Sequence, residues 1–246
     1  MRKIPLPPLV ATMETLREQK QVAHEVILVE AHHSLEVQQV IDRFEGEHIR
    51  SIEHDNDHFD SLIQKGIDEA KGEYINIIRP GEYYLSKYAL ETISEFIDAN
   101  DGPDVVICGR VEHRNNQQSV LFHPLDIPSL KCGSYPPTLE HIWLKKTIFE
   151  KTGKFQSDYK YKGKFDFYCR LAQANLRIVQ FRRVLTDSHR LKVTLKNPLS
   201  EGREMLRIIT SHFGPLCAFK WWFTHNQKYF FSALLQTLKK SFSRQP

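Results

Sequence analysis

The sequence has few cysteines and no long apolar run. Its four cysteines lie far apart and form no Cys-x-x-Cys pair, so neither a disulfide framework nor a zinc ribbon is indicated and a reducing compartment is favoured. No apolar run approaches the roughly 20 residues that cross a bilayer. Residues 1–8 have a basic start but lack the apolar centre of a signal peptide. These absences predict a cytoplasmic protein.

A strong surplus of either charge is also absent. Lys and Arg total 34, Asp and Glu total 30, and the net charge is +4. This surplus is too small to indicate a nucleic-acid-binding protein, and no RNA- or DNA-binding motif is present, so we expect no nucleic-acid partner. The hydrophobic content of 41% is that of an ordinary folded chain. The basic excess is concentrated at the C-terminus, where no acidic residue follows Glu204.

Short apolar runs alternate with amphipathic helical patterns in the first 108 residues. This alternation predicts an α/β fold, with a mainly parallel sheet flanked by helices in one Rossmann-like domain. Ligands of such sheets bind beyond the carboxyl ends of the strands. The predicted strands are 26–30, 49–53, 74–78 and 104–108, and the predicted helices are 34–44, 59–70 and 86–97.

The pattern weakens between residues 109 and 137, where prolines predict an irregular loop or edge strands. Regular elements return with a helix near 166–174 and a strand at 178–181. We expect one domain over residues 1–200, with a nucleotide half at about 1–108 and an acceptor half at about 109–200. A helical C-terminal extension, 201–246, follows it.

Residues 61–75 carry the most specific motif. They read Ser-Leu-Ile-Gln-Lys-Gly-Ile-Asp-Glu-Ala-Lys-Gly-Glu-Tyr-Ile, which resembles the S-x-x-N-K-G-x-x-x-A-x-G-E-Y-I segment of family 2 glycosyltransferases. Residues 26–34 resemble the family's nucleoside-binding strand and turn, and residues 165–171 resemble its acceptor-side segment. The resemblance covers residues 16–189. It implies a GT-A fold and an inverting transfer of a sugar, from a UDP-linked donor to a glycan or lipid-linked acceptor of the cell envelope.

The resemblance also implies roles for single residues. Asp166 takes the position of the general base, and a helix N-cap is its alternative role. Glu30 takes the position of the acid that binds the nucleobase, and a solvated strand end is the alternative. Asp55 and Lys65 are placed in the donor site with Glu30.

His189 and Arg190 follow the last predicted strand of the domain. The resemblance places them near the donor phosphates or the acceptor. The alternative is an ordinary pair of loop residues, since loops carry both kinds of residue.

The family's DxD metal motif is missing from its expected place after residue 78. The chain reads Arg79-Pro80-Gly81-Glu82 there, so Glu82 is the only candidate metal ligand at this position. The resemblance implies Mg²⁺ or Mn²⁺, but a single carboxylate beside an arginine is a poor site for such an ion. Two alternatives follow: the Arg79 guanidinium pairs with the donor diphosphate in place of the metal, or Arg79 is an ordinary turn residue. The missing motif also favours a rival function, a catalytically inactive binding or scaffold protein.

The C-terminal stretch is aromatic and basic. Residues 219–223 read Phe-Lys-Trp-Trp-Phe, and apolar residues recur at helical spacing from 231 to 242. Such a helix either lies on the surface of an anionic membrane or packs on the domain. The first alternative predicts a peripheral protein on the cytoplasmic face of the membrane.

Overall fold

The structure is a computed structural model that describes residues 6–31, 35–44, 48–114, 117–134, 138–155, 158–188 and 198–225. Strands and helices alternate along most of it. The strands are β1 (Val26–Glu30), β2 (Ile49–Glu53), β3 (Tyr74–Asn76), β4 (Glu82–Tyr84), β5 (Val105–Arg114), β6 (Gln117–Leu121), β7 (Ile142–Lys145), β8 (Ile178–Val184) and β9 (Thr186–Ser188). The α-helices are α1 (Leu6–Arg17), α2 (Leu35–Phe44), α3 (Phe59–Glu69), α4 (Ala89–Ala99), α5 (Ile127–Lys131), α6 (Ile148–Thr152), α7 (Gly163–Gln173) and α8 (Pro198–Phe213).

The strands form three separate groups within the described residues. β1 and β2 form a parallel pair, and β4 and β9 form an antiparallel pair. The largest sheet has the order β3-β7-β5-β6, and β8 adds to it parallel to β5. The predicted α/β class with flanking helices is confirmed. The pairing is more antiparallel than the sequence pattern predicted, because β3, β6 and β7 all pair with antiparallel neighbours.

The long strand β5 explains the weak pattern after residue 108. β5 continues to Arg114, and the chain returns along it as β6. The first half of β5 is fully buried, whereas Val120 on β6 is about half exposed. A strand that leaves the core loses its apolar pattern, so the edge-strand alternative holds as far as residue 121, whereas residues 127–131, expected to be irregular, form helix α5.

The main core lies between the large sheet and helices α3, α7 and α8. Val105 of β5 and Phe165 of α7 are both completely buried in it. Ile208 and Ile209 of α8 belong to the same apolar cluster, so the first part of the predicted extension packs on the body. The division into domains at residue 200 stays a prediction. None of the helices in the described part of the chain is long and apolar enough to cross a membrane.

Candidate functional site

The turn between β3 and β4 positions two charged side chains. Within it the Glu82 amide donates to the Arg79 carbonyl at 2.9 Å, and Gly81 has a φ of 94°, a conformation that favours glycine. Helix α1 holds the turn in place. The Thr12 hydroxyl donates to the Glu82 carbonyl at 2.7 Å and accepts from the Gly81 amide at 2.9 Å. The N-terminal helix therefore fixes the backbone from which Arg79 and Glu82 extend.

Arg79 and Glu82 form an ion pair at this turn. The Arg79 Nε donates to Oε1 of Glu82 at 2.6 Å, Nη2 contacts the same oxygen, and the Arg79 amide donates to Oε2 at 2.7 Å. Glu82 is buried, whereas the Arg79 side chain is 40% exposed. Burial and the neighbouring Glu140 raise the pKa of Glu82 to about 7, although Arg79 opposes the rise. Glu82 thus anchors one edge of the guanidinium and leaves Nη1 without a hydrogen bond to any described residue.

Three further charged residues are linked to this pair directly or through Lys164, and no sequence motif indicated them. The Glu140 carboxylate lies 3.9 Å from Nη2 of Arg79 and accepts from the Thr138 hydroxyl at 2.5 Å. Asp60 is buried in the first turn of α3, and burial raises its pKa. Lys164 lies in the first turn of α7 and interacts electrostatically with the other four. We call Asp60, Arg79, Glu82, Glu140 and Lys164 the charged cluster.

Lys164 is the least satisfied member of the charged cluster. Its ammonium lies 4.4 Å from the centre of the Phe59 ring, a cation–π contact. It makes no hydrogen bond or ion pair with a described residue. Burial lowers the pKa of Lys164 to about 8, and the positive charge of Arg79 acts in the same direction. A half-buried ammonium without a bonded anion is costly, and this marks Lys164 as a candidate anion-binding residue.

Asp166 lies two residues further along α7 and is already paired. Its Oδ2 accepts from Nε of Arg170 at 2.8 Å, and its Oδ1 lies 2.9 Å from Nε2 of His212 on α8. Burial would raise the pKa of Asp166, but the hydrogen bonds from His212 and Arg170 outweigh it and hold the pKa below its usual value. The other ring nitrogen of His212 lies 2.7 Å from Oε1 of Gln173. We call Asp166, Arg170 and His212 the helix lock, because they join α7 to α8.

The alternative role of Asp166 as a helix N-cap is wrong. α7 begins at Gly163, and the residue at its N-cap is Lys162. The buried face of α7 starts earlier than residue 166, where the sequence pattern placed the start of the helix, because Phe165 is already buried. Asp166 therefore lies inside the first helical turns, where its carboxylate reaches Arg170 one turn later.

The other donor-site residues predicted from the sequence are not brought into the charged cluster by any observed contact. Glu30 ends β1 and is buried, and its carbonyl accepts from the His54 amide at 2.9 Å. Asp55 is exposed in the loop after β2. The Lys65 ammonium lies 2.8 Å from the Glu69 carboxylate, one turn later on α3. The roles of these three residues in donor binding stay predictions.

His189 and Arg190 lie outside the described residues. The chain before them is β9, in which Ser188 pairs with Glu82 of β4. Their predicted contact with phosphate or acceptor therefore stays a prediction.

The charged cluster does not fit a divalent cation. Both oxygens of Glu82 accept hydrogen bonds from Arg79, whose charge occupies the place of a cation. In the part of the chain that the structure describes, no group of three or more His, Cys, Asp or Glu residues could hold a metal ion. Mg²⁺ and Mn²⁺ prefer several oxygen ligands. The described residues thus provide no ligand set for the ion that the resemblance implies.

The aromatic C-terminal stretch is divided between the core and the surface. Residues 215–225 are helical, and Trp221 packs against the main core. Leu216, Phe219 and Phe223 are 85%, 65% and 53% exposed. The packing alternative holds for Trp221, and the exposed apolar side chains leave the membrane alternative open. The predicted helical residues from 231 to 242 lie outside the described residues.

Comparisons with known proteins give a likeness in structure only. No protein-family model matches the chain, and no curated protein matches it. Among solved structures, S. aureus TarS has a TM-score of 0.66 at 15% identity, covering 85% of this chain and 38% of that one. TarS 1-349 in complex with UDP-GlcNAc has a TM-score of 0.67 at 13% identity, covering 83% of this chain and 62% of that one.

A third structure covers nearly the whole chain. The mannosyltransferase PcManGT from Pyrobaculum calidifontis, in complex with GDP-Man and Mn²⁺, has a TM-score of 0.65 at 12% identity, covering 98% of this chain and 73% of that one. This chain spans less than two thirds of the length of either TarS chain. Identities this low show the fold alone. The chain therefore has a GT-A-like α/β glycosyltransferase fold, as its resemblance to family 2 predicts.

Proposed function

We propose that this chain transfers a sugar from a UDP-linked donor to a glycan or lipid-linked acceptor of the cell envelope, with inversion. The observation that carries the proposal is the fold shared with PcManGT over 98% of the chain. TarS, solved with UDP and with UDP-GlcNAc, supports the same class of donor. The sequence segments at 26–34, 61–75 and 165–171 independently resemble family 2 glycosyltransferases.

The donor side of the proposed reaction uses Glu30 and the charged cluster. Glu30 is proposed to accept a hydrogen bond from the nucleobase at the end of β1, with Asp55 and Lys65 nearby. The leaving nucleoside diphosphate gains negative charge as the bond to the sugar breaks, so fixed positive groups at that place accelerate the reaction. Arg79 is proposed to supply one of them through Nη1, which bonds none of the described residues. His189 and Arg190 are proposed to contact a phosphate or the acceptor.

Asp166 is proposed to accept the proton that the acceptor hydroxyl loses during attack. Its pairing with Arg170 and His212 works against this role, because a lowered pKa makes a carboxylate a weaker base. The same pairing favours the second candidate function, a scaffold that binds nucleotide-sugars without transferring them.

Titration and product analysis of the full chain test both functions. UDP-GlcNAc and GDP-mannose are titrated into the protein by calorimetry, and release of free nucleotide is measured with an acceptor mixture from cell-envelope extract. Transfer predicts donor binding and acceptor-dependent nucleotide release that Asp166→Asn abolishes while donor affinity is kept. Binding without release supports the scaffold function, and no binding of either donor contradicts both.

We also propose that the exposed apolar side chains at 216–223 attach the protein peripherally to the cytoplasmic face of a membrane. Leu216, Phe219 and Phe223 are exposed beside Lys220, a combination suited to an anionic bilayer surface. Flotation with vesicles of phosphatidylglycerol and phosphatidylcholine tests this, with the double variant Phe219→Ser, Phe223→Ser. The matched control is Leu199→Ser, which removes an apolar side chain that is 79% exposed on α8. Equal flotation of all three proteins would contradict the proposal.

A further inference from the structure

We infer that Arg79 and Lys164 together form a two-cation site that binds the donor diphosphate without a divalent metal ion. The inference rests on the proposed function, because it takes a nucleoside diphosphate as the ligand. It adds Lys164, which no sequence motif indicated. It also predicts donor binding that does not need Mg²⁺ or Mn²⁺, whereas the resemblance to family 2 implies that such an ion is needed.

Both cations have N–H groups that donate to none of the described residues. Glu82 holds Nε and Nη2 of Arg79, while Nη1 makes no hydrogen bond to a described residue and the side chain remains partly exposed. All three N–H groups of Lys164 lack a hydrogen-bond acceptor among the described residues. The ring of Phe59 stabilises the ammonium only weakly, at 4.4 Å from its centre. Phosphate oxygens are strong, charge-assisted acceptors for guanidinium and ammonium groups.

The two cations also repel each other, although three carboxylates of the charged cluster offset part of this repulsion. Arg79 is the largest electrostatic contribution that disfavours the charged form of Lys164, ahead of the opposing effects of Asp60, Glu140 and Glu82. An anion with two or more negative charges placed between them removes this repulsion. Glu82 holds Arg79 in position from the buried side of the turn, and Glu140 lies 3.9 Å from Nη2 of the same side chain.

A divalent ion would have to compete with this arrangement. The Nε of Arg79 donates to Oε1 of Glu82 and the backbone amide of Arg79 donates to Oε2, so the carboxylate is no longer a free ligand. In the PcManGT complex, GDP-Man is accompanied by Mn²⁺. One guanidinium and one ammonium carry the same charge of about two units as that ion, and the pairing with Glu82 offsets part of the charge of Arg79.

Calorimetric titration with UDP tests the inference on the full chain. We expect the UDP affinity measured in EDTA to agree within about threefold with that measured in Mn²⁺, since the described residues provide no ligand set for the ion. We expect Lys164→Met and Arg79→Met each to weaken UDP binding at least tenfold, about the effect of losing one charge-assisted contact. Lys164→Arg should retain most of the affinity. The matched control, Lys154→Met, removes an exposed lysine that pairs with Asp68 and should leave the affinity unchanged.

A second readout depends on protonation and separates a direct contact from a structural effect. UDP binding should restore the charged form of Lys164, whose pKa is about 8, so at pH 8 the chain takes up about half a proton per UDP. The number of protons taken up is obtained by repeating the calorimetric titration in buffers that differ in ionisation enthalpy. Glu82 contributes an uptake of the same sign, so the test is the difference between the wild-type chain and Lys164→Met.

Three outcomes would overturn the inference. UDP binding that requires Mn²⁺ contradicts it and leaves the proposed function intact. Binding that is metal-independent but unchanged in Lys164→Met assigns the diphosphate to other residues. Failure of UDP and GDP to bind with or without Mn²⁺, in a chain with a native circular dichroism spectrum, contradicts the proposed function as well.

Discussion

The charged cluster and the helix lock both depend on the first turns of α7, yet they differ in how completely their charges are paired. Lys164 and Asp166 are two residues apart, so they point to different sides of the helix. Asp166 faces α8 and is bonded on both oxygens. Lys164 contacts the Phe59 ring at the start of α3 and has no hydrogen-bonded partner among the described residues. One turn of helix thus carries a satisfied anion and an unsatisfied cation.

This difference separates a stabilising arrangement from one prepared for a ligand. Removing one member of a buried, hydrogen-bonded ion pair lowers the free energy of unfolding strongly. A buried charge that has no partner lowers the free energy of unfolding by its presence. Chains keep such unpaired groups at functional sites, where a ligand completes them. Substitution at 164 and at 166 should therefore change stability in opposite directions.

Asp166→Asn should have the largest effect. The substitution leaves the Arg170 and His212 side chains, 15% and 14% exposed, without their anion. We expect the free energy of unfolding to fall by about 3 kcal/mol, as for other buried ion pairs that lose one partner. Urea denaturation at pH 7 measures the change. Because the pKa of Asp166 is lowered, its contribution is present above the ordinary value of 3.8 and is lost as the pH falls below it.

The control for Asp166→Asn is the same substitution in an exposed pair. The Asp68 carboxylate lies 3.0 Å from Nζ of Lys154, and the two side chains are 45% and 66% exposed. Asp68→Asn should cost no more than about 0.5 kcal/mol. Equal losses for the two variants would show that the helix lock does not stabilise the packing of α8 on α7.

Lys164→Met should have the second-largest effect, and of opposite sign. Methionine keeps the contact with Phe59 and removes the unpaired charge, so we expect the free energy of unfolding to rise by about 2 kcal/mol at pH 7. Between pH 8 and 10.5 the unfolded wild-type chain holds the lysine proton and the folded chain has released it. Wild-type stability therefore rises with pH in this window, and the gain from Lys164→Met should shrink there. Thermal unfolding at pH 7, 9 and 10 measures it, and a gain independent of pH would contradict the prediction.

The sequence predicts the α/β class and most element positions, because apolar periodicity is a local property. It identifies Arg79 and Glu82 because they replace a known motif. It misses Asp60, Glu140, Lys164 and His212, since their importance arises only when α3, the residues before β7, α7 and α8 pack together. Asp166 is placed correctly on α7, but its paired state depends on His212, 46 residues further along the chain.

Gly81→Ala should have an intermediate effect on the turn that positions the charged cluster. Gly81 has a φ of 94°, and a Cβ atom in that conformation costs about 1 kcal/mol. The helical Gly202 provides the opposite control. A Cβ atom there meets nothing within 4 Å, so Gly202→Ala should stabilise the chain by up to about 1 kcal/mol. Urea denaturation compares the two variants, and a loss of stability for Gly202→Ala would contradict the helical packing described for α8.

Lys65→Ala should have the smallest effect, and it tests how far the donor site extends from the charged cluster. Lys65 pairs with Glu69 one turn later on α3, and both side chains are partly exposed. The pairing is worth no more than about 0.5 kcal/mol in exposed helices. If the charged cluster makes the main contacts with the diphosphate, Lys65→Ala should weaken UDP binding by less than about threefold, because the observed contact of Lys65 runs along α3 and not to the β3–β4 turn. A tenfold loss of UDP affinity would instead support the role in donor binding that the sequence motif at 61–75 predicts, and would shift the site from α7 towards α3.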